Sequence, residues 1–241
     1  MSVEINYFTA NWKLDGNRKT ARVWVDGFAS PKGRELLKPE NRLIVAPPIE
    51  LLSTVADQIQ AYGLPIAVAA QDLDPKAEAL FYDKKGVKHT GQAYVPALIA
   101  DCAEYVILRH SETGMDKLLT NNDINFRLDI ARKHNLKPIV CVSNLNQARA
   151  IAQHDPNFPG IIAYEPIEFV GTKSTAPVEQ ANNFCAQLEQ MYPLASRLYG
   201  GGVDETTIKE LLSQSPIDGV LIGNRSSGID FFQNIIRVAL S

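Results

Sequence analysis

The chain has 241 residues, 45% of them apolar and 21% charged, and its 24 Lys and Arg against 27 Asp and Glu leave a net charge of −3 with the histidines neutral. That balance excludes collagen-like, disordered and membrane-embedded classes and argues against a general nucleic-acid or anionic-membrane partner, while a small charged ligand stays open. One hydrophobic core is near its upper limit at this length unless the architecture is a closed barrel, where roughly 250 residues form one domain.

Short apolar, β-rich runs alternate with longer amphipathic stretches along the chain, the pattern of repeated β–α units. The first strand is expected at Ile5 to Thr9 and runs into Asn11-Trp12-Lys13. Because side chains alternate along extended chain, Asn11 and Lys13 point the same way, and a lysine there neutralises an anionic substrate unless it is a plain surface residue. A helix at Thr20 to Phe28, a strand at Leu43 to Ala46, a helix at Glu50 to Gln60 and a strand at Ile66 to Ala69 follow. The fourth strand, Tyr105 to Leu108, ends in Arg109-His110-Ser111-Glu112. Here a strand passes into a helical turn whose N-terminus disfavours imidazolium and leaves a neutral N–H to polarise a carbonyl; the plain alternative is a structural histidine.

A helix at Asn125 to His134 and a fifth strand at Pro138 to Val142 come next. The sixth strand, Gly160 to Tyr164, ends at Glu165-Pro166, a carboxylate at the rim of an apolar core where desolvation raises basicity; a salt-bridge role is the alternative. Ile167 to Thr175 has an apolar middle and small polar ends, which suits a hinged lid and also an ordinary strand-to-helix connection. A helix at Glu179 to Met191 opens behind Pro177, the seventh strand spans Arg197 to Gly200, a helix at Glu205 to Ser213 starts behind Asp204, and the eighth strand spans Gly219 to Ile222. Gly200-Gly201-Gly202 and Gly223-Asn224 then offer bare backbone N–H groups at two neighbouring strand ends, which together make a phosphate cradle. Eight such units fit an α/β chain folded as a single (β/α)8 barrel over residues 1–241 better than an open doubly wound sheet, although spacing does not prove closure.

Three cysteines, Cys102, Cys141 and Cys185, are too far apart for a metal knuckle or redox pair, and their odd number suits a disulfide framework badly. The N-terminus lacks the basic flank and apolar stretch of an export signal, and no run approaches the ~18 apolar residues of a membrane span. A soluble, cytoplasmic protein in a reducing compartment is expected.

Five segments in order resemble the signature segments of the triosephosphate isomerase family. They are Ala10-Asn11-Trp12-Lys13, Arg109-His110-Ser111-Glu112, Ala163-Tyr164-Glu165-Pro166 with Val170-Gly171-Thr172, Leu198-Tyr199-Gly200-Gly201, and Asp218-Gly219-Val220-Leu221-Ile222-Gly223. Smaller echoes are Ala46-Pro47-Pro48, Ala70-Gln71, His89-Thr90-Gly91 and Cys141-Val142. The resemblance covers essentially the whole chain and implies a TIM barrel that interconverts dihydroxyacetone phosphate and D-glyceraldehyde 3-phosphate through an enediolate, a step of glycolysis and gluconeogenesis. It implies that Asn11 and Lys13 bind substrate, that Lys13 also serves catalysis, that His110 is the electrophile and that Glu165 is the base. It further implies phosphate-binding N–H groups at Gly171, Gly202, Gly223 and Asn224, and a Glu112 that orients Lys13. No metal or organic cofactor and no nucleic-acid or membrane partner is expected. The partners implied are a small phosphorylated triose and a second copy of the chain, in a dimer first and a tetramer as the alternative, with Thr90 at a loop tip completing the neighbour's site.

The chain departs from the family pattern in several places. Glu168 stands where a tryptophan is common, Lys173-Ser174 at the far hinge of the lid, Gly202 where a serine is frequent, Asn224 for a glycine, and Thr113-Gly114 for paired arginines. The segment Asp74 to Lys88 reads longer than usual, and Glu168 and the short span from His110 to Glu165 are similar to compact archaeal-type members. These changes keep isomerisation of a four-carbon sugar phosphate as the alternative activity. A catalytically silent phosphate-binding barrel is the non-enzymatic alternative, against which Glu165 stands, since a binding module needs no base.

Overall fold

The computed structural model describes residues 6–77, 94–116, 119–170, 175–223 and 225–241, with backbone alone at 114–116. Strands β1 (Asn6–Asn11), β2 (Asn41–Ala46), β3 (Ile66–Ala70), β4 (Tyr105–Leu108), β5 (Lys137–Val142), β6 (Ile161–Tyr164), β7 (Ser196–Tyr199) and β8 (Gly219–Ile222) pair in parallel and in chain order. β8 returns to β1 in the register Tyr7↔Gly219 to Ala10↔Ile222. The sheet is therefore a closed barrel, and the open-sheet alternative falls.

Closure explains why the strands read as continuous apolar runs: both of their faces are buried. One set of strand residues, including Phe8, Leu43, Val45, Val106, Val140, Ile162, Tyr199 and Val220, packs outward against the helices. The alternate set, including Ile44, Ala46, Ala69, Ile107, Cys141, Ala163, Leu198 and Leu221, fills the barrel interior. Helices at Arg18–Ala29, Leu52–Ala61, Asn121–Lys133, Leu145–His154, Val178–Met191 and Ile229–Leu240, with shorter ones between, form the outer layer.

Local chemistry moves several boundaries. The first helix begins at Arg18 because Asn17 Oδ1 accepts from the N–H groups of Lys19 and Thr20. The helix expected from Asn125 starts at Asn121, behind a capping box between Thr120 and Asp123. The helix expected over Glu205 to Ser213 is confined to Ile208–Leu212, because Asp204 Oδ1 holds Thr206 N at 2.9 Å and Thr207 N at 3.1 Å in a turn. β1 runs on to Asn11, which pairs with Ala46, so the strand reaches further than its apolar residues do.

An aromatic cluster ties the start of the chain to its end. Trp24 packs on Trp12, Phe28 and Phe232 with centroid separations of 5.7, 4.8 and 5.7 Å, and its Nε1–H donates to Ser226 O at 3.1 Å. The Ser226 hydroxyl donates in turn to Asn11 O at 3.1 Å and lies 2.9 Å from Gly223 O. The exits of β1 and β8 are thus fixed against each other.

Candidate active site

Ile161 and Ala163 of β6 face the barrel interior, and the same alternation aims Glu165 into its C-terminal mouth. Glu165 N–H still donates to Val142 O at 2.9 Å, so the carboxylate rises from an extension of the sheet. It is 2% exposed. Gly200, the interior position of β7 after Leu198, makes the room: a Cβ there would stand 3.0 Å from Glu165 Cγ. Burial pushes the Glu165 carboxyl above the ordinary 4.5, against the opposing pull of His110, the Ser111 N–H and the Cys141 thiol. Ser111 N–H donates to Oε2 at 2.7 Å. Cys141, fully buried on β5, is itself pushed up by that burial first and by Glu165 second.

His110 arrives by a different route. Ile107 faces the interior, so strict alternation would send Arg109 inward and His110 outward. Arg109 instead takes φ 59°, a left-handed turn that breaks the alternation. Its guanidinium reaches Asn121 Oδ1 at 3.1 Å, and His110 lines the mouth. The helix Ser111–Asp116 begins immediately after it, and Glu112 N–H donates to His110 Nδ1 at 3.4 Å. With Nδ1 accepting, the ring proton sits on Nε2, 3.0 Å from Glu165 Oε1. The imidazole therefore turns its Nε2 toward Glu165 in the mouth of the barrel.

Lys13 lies beyond the end of β1, so alternation does not place it as the sequence suggested. A turn does: Lys13 has φ 55°, its N–H donates to Asn11 Oδ1 at 3.0 Å, and its carbonyl accepts from Gln71 Nε2 at 2.6 Å. Gln71 Nε2 is also 2.9 Å from Ala46 O. Asn11, 4% exposed, stands behind the lysine and holds this turn. Lys13 Nζ is 2.5 Å from Glu112 Oε1, so Glu112 does meet the lysine. A Cβ at Gly223 would stand 2.8 Å from Lys13 Cε, so the lysine would have to shift to admit a side chain there.

Lys13, His110 and Glu165 share a cavity of about 470 Å³ with Gly200, Gly201, Gly202 and Gly223. Gly200 and Gly223 bring bare backbone beside Glu165 and Lys13, and Asp204 and Arg225 also line the cavity, an arrangement that suits a small anion with a reactive carbonyl. The chain after β6 makes a short 3-10 turn at Ile167–Phe169, and Val170 reaches the cavity wall. Gly171, Asn224 and Thr90 lie outside the described residues. Sequence reasoning missed the Ser111 N–H, the Cys141 thiol and Arg225, which lines the cavity beside Gly223. Among the described residues no cluster of His, Cys, Asp and Glu is arranged to hold a metal ion, and no helix is long and apolar enough to cross a membrane.

Known proteins bear on this geometry. A family model described as triosephosphate isomerase matches residues 6–239. A protein of Synechococcus sp. (strain JA-3-3Ab) named triosephosphate isomerase is 32% identical over 251 residues, spanning 94% of this chain and 92% of the relative. Relatives of the same name from Gloeobacter violaceus and Lacticaseibacillus casei are 32% and 31% identical, each match spanning 94% of this chain and 95% of the relative.

Proposed function

Because the chain belongs to the triosephosphate isomerase family, we propose that it interconverts dihydroxyacetone phosphate and D-glyceraldehyde 3-phosphate, with Glu165 as the base, His110 as the electrophile and Lys13 as the fixed cation. The observation that carries these roles is the buried Glu165 carboxyl, raised above its ordinary range and 3.0 Å from an imidazole N–H at the mouth of a closed barrel.

Glu165 removes a proton from the carbon next to the carbonyl, and the electron pair left behind forms an enediolate. A carboxyl lifted by burial is a stronger base than one in water, and it holds the proton long enough to return it to the neighbouring carbon. Charge develops on the two substrate oxygens, where His110 Nε2–H donates and the Lys13 ammonium adds a fixed positive charge. Glu112 and Gln71 hold the lysine in place from its two ends. Backbone N–H groups of Gly202 and Gly223, with Gly171 and Asn224 beyond the described residues, bind the phosphate. Closure of the segment from Ile167 to Thr175 excludes water and keeps the enediolate from losing phosphate.

The working form is a homodimer in the cytoplasm. In support, Leu14 is 91% exposed next to Lys13 at the barrel mouth, an apolar side chain that a second copy would cover. The cysteines Cys102, Cys141 and Cys185 are all free thiols, in keeping with a reducing compartment.

Glu165→Gln tests the base: kcat is expected to fall on the order of 10²-fold or more in a coupled isomerase assay. Retention of the parental rate would remove Glu165 from the mechanism. Parallel assays with a triose phosphate and a four-carbon sugar phosphate test the substrate, and the triose is expected to show the higher kcat/KM.

A further inference from the structure

The phosphate end of the cavity contains a cation that proton transfer does not use. Arg225 follows Gly223 and Asn224 in the turn after β8 and lines the same cavity as Lys13, Gly202 and Gly223. Its guanidinium lies over the ring of Phe231, with Cζ 4.2 Å from the ring centroid. Phe231 belongs to the helix Ile229–Leu240, so the stacking surface is part of the outer layer and not a mobile loop. Stacking engages the face of a guanidinium and leaves its in-plane N–H donors available.

The other charged groups on this side already have hydrogen-bond or ion-pair partners. Lys13 is paired with Glu112 at 2.5 Å. Asp204 also lines the cavity, but its Oδ1 accepts from Thr206 N at 2.9 Å, Thr206 Oγ1 at 2.6 Å and Thr207 N at 3.1 Å. Among the described residues no carboxylate pairs with Arg225. An exposed cation on the wall of a glycine cradle, outside any described ion pair though it shares the cavity with the Asp204 carboxylate, is complementary to an anion.

The backbone points the same way. Arg225 has φ 64°, a conformation that glycine adopts freely and a long side chain adopts at a cost. The turn is held by the Ser226 contacts, by Gly228 N–H donating to Arg225 O at 2.9 Å, and by the Ser227 hydroxyl donating to Asp15 Oδ2 at 2.5 Å. Glycine at 225 would satisfy all of these, so the side chain contributes something the turn does not require.

We propose that Arg225 is a specificity-determining residue that binds the substrate's phosphate through its guanidinium, adding a fork-shaped, charge-assisted contact to the backbone cradle at Gly202 and Gly223. The proposal rests on the reading of this end of the cavity as the phosphate site. Gly202 has no hydroxyl to offer a phosphate, and a guanidinium delivers two parallel donors where a hydroxyl delivers one.

The test compares the parental protein with Arg225→Ala, Arg225→Gly and Arg225→Lys in three measurements: KM and kcat for glyceraldehyde 3-phosphate, competitive inhibition by inorganic phosphate, and direct binding of inorganic phosphate followed by calorimetry. Arg225→Ala is expected to raise KM, the phosphate inhibition constant and the phosphate dissociation constant about tenfold, the weight of one charge-assisted contact, while kcat moves less than about threefold. Arg225→Gly shows the same loss with a melting temperature no lower than the parent, which separates binding from folding. Arg225→Lys, which keeps the charge and loses the fork, falls between. Unchanged phosphate binding in Arg225→Ala overturns the proposal, as does a fall in kcat with KM and the inhibition constant unmoved. If the parental protein does not isomerise the triose phosphate, the functional reading fails, and the calorimetric comparison still decides the role of Arg225.

Discussion

Ionising a carboxyl that is 2% exposed costs free energy, and Glu165 carries that cost in the folded state alone. Its pKa is raised above 4.5 on folding, so the native chain binds the proton more tightly than the unfolded chain does. The stability linked to this group is therefore fully present below 4.5 and is lost as pH rises through the native value. Melting temperature against pH is expected to decline across that window in the parent and to lose that component in Glu165→Gln. The acid limb of kcat/KM is expected above the ordinary carboxylate value, because the base works only when ionised. An acid limb at or below 4.5 would contradict the raised carboxyl. At this scale much was legible in the sequence: Lys13, His110, Glu165 and Glu112 stand at strand ends in recognisable company. The left-handed turn at Arg109 was not, because an arginine carries no local signal for positive φ; the sheet and the following helix impose it. Arg225 was overlooked for the same reason, since its position depends on Phe231 of the helix that follows.

The strands supply parity, and parity decides which residues meet in the mouth. Glu165 and Gly200 occupy neighbouring interior positions just past the ends of β6 and β7, one large and one empty. Gly200→Ala would bring a Cβ to 3.0 Å from Glu165 Cγ, with Tyr164 O at 3.3 Å behind it. The expected result is a stability loss of about 1–3 kcal/mol, as for overpacking elsewhere, together with a kcat lowered about tenfold because the carboxylate is displaced. Urea denaturation and steady-state kinetics on the one variant measure both. The eight strands were readable because closure buries both faces and leaves continuous apolar runs. Helix starts were less readable, since they are set by polar groups: Thr120 with Asp123 lengthens one helix, and Asp204 shortens another. Apolar periodicity does not report either.

For the molecule as a whole, the small negative net charge of −3 does not report how charge is arranged in the cavity, where Lys13 and Arg225 stand with Glu165 and Asp204. Composition also gave no hint of Leu14, 91% exposed beside Lys13. Leu14→Arg is expected to shift the protein from dimer to monomer in light scattering and to lower kcat/KM, since the neighbouring turn carries Lys13. A monomeric parent would overturn the homodimer, and a variant that stays dimeric at the same concentrations would place the subunit contact elsewhere.

The hydrogen bond from the Ser226 hydroxyl to Asn11 O joins residues 215 apart, near the two ends of the chain. Lys13 and the β8 turn therefore form one pocket only after the ring has closed, and a growing chain without β8 lacks one wall of the site. An anion that binds between these walls stabilises the closed ring by mass action and gives no such benefit to the open chain. A ligand bound there is expected to distinguish ring-closed from ring-open chains, and protection by phosphate against proteolysis is expected only once β8 is in place.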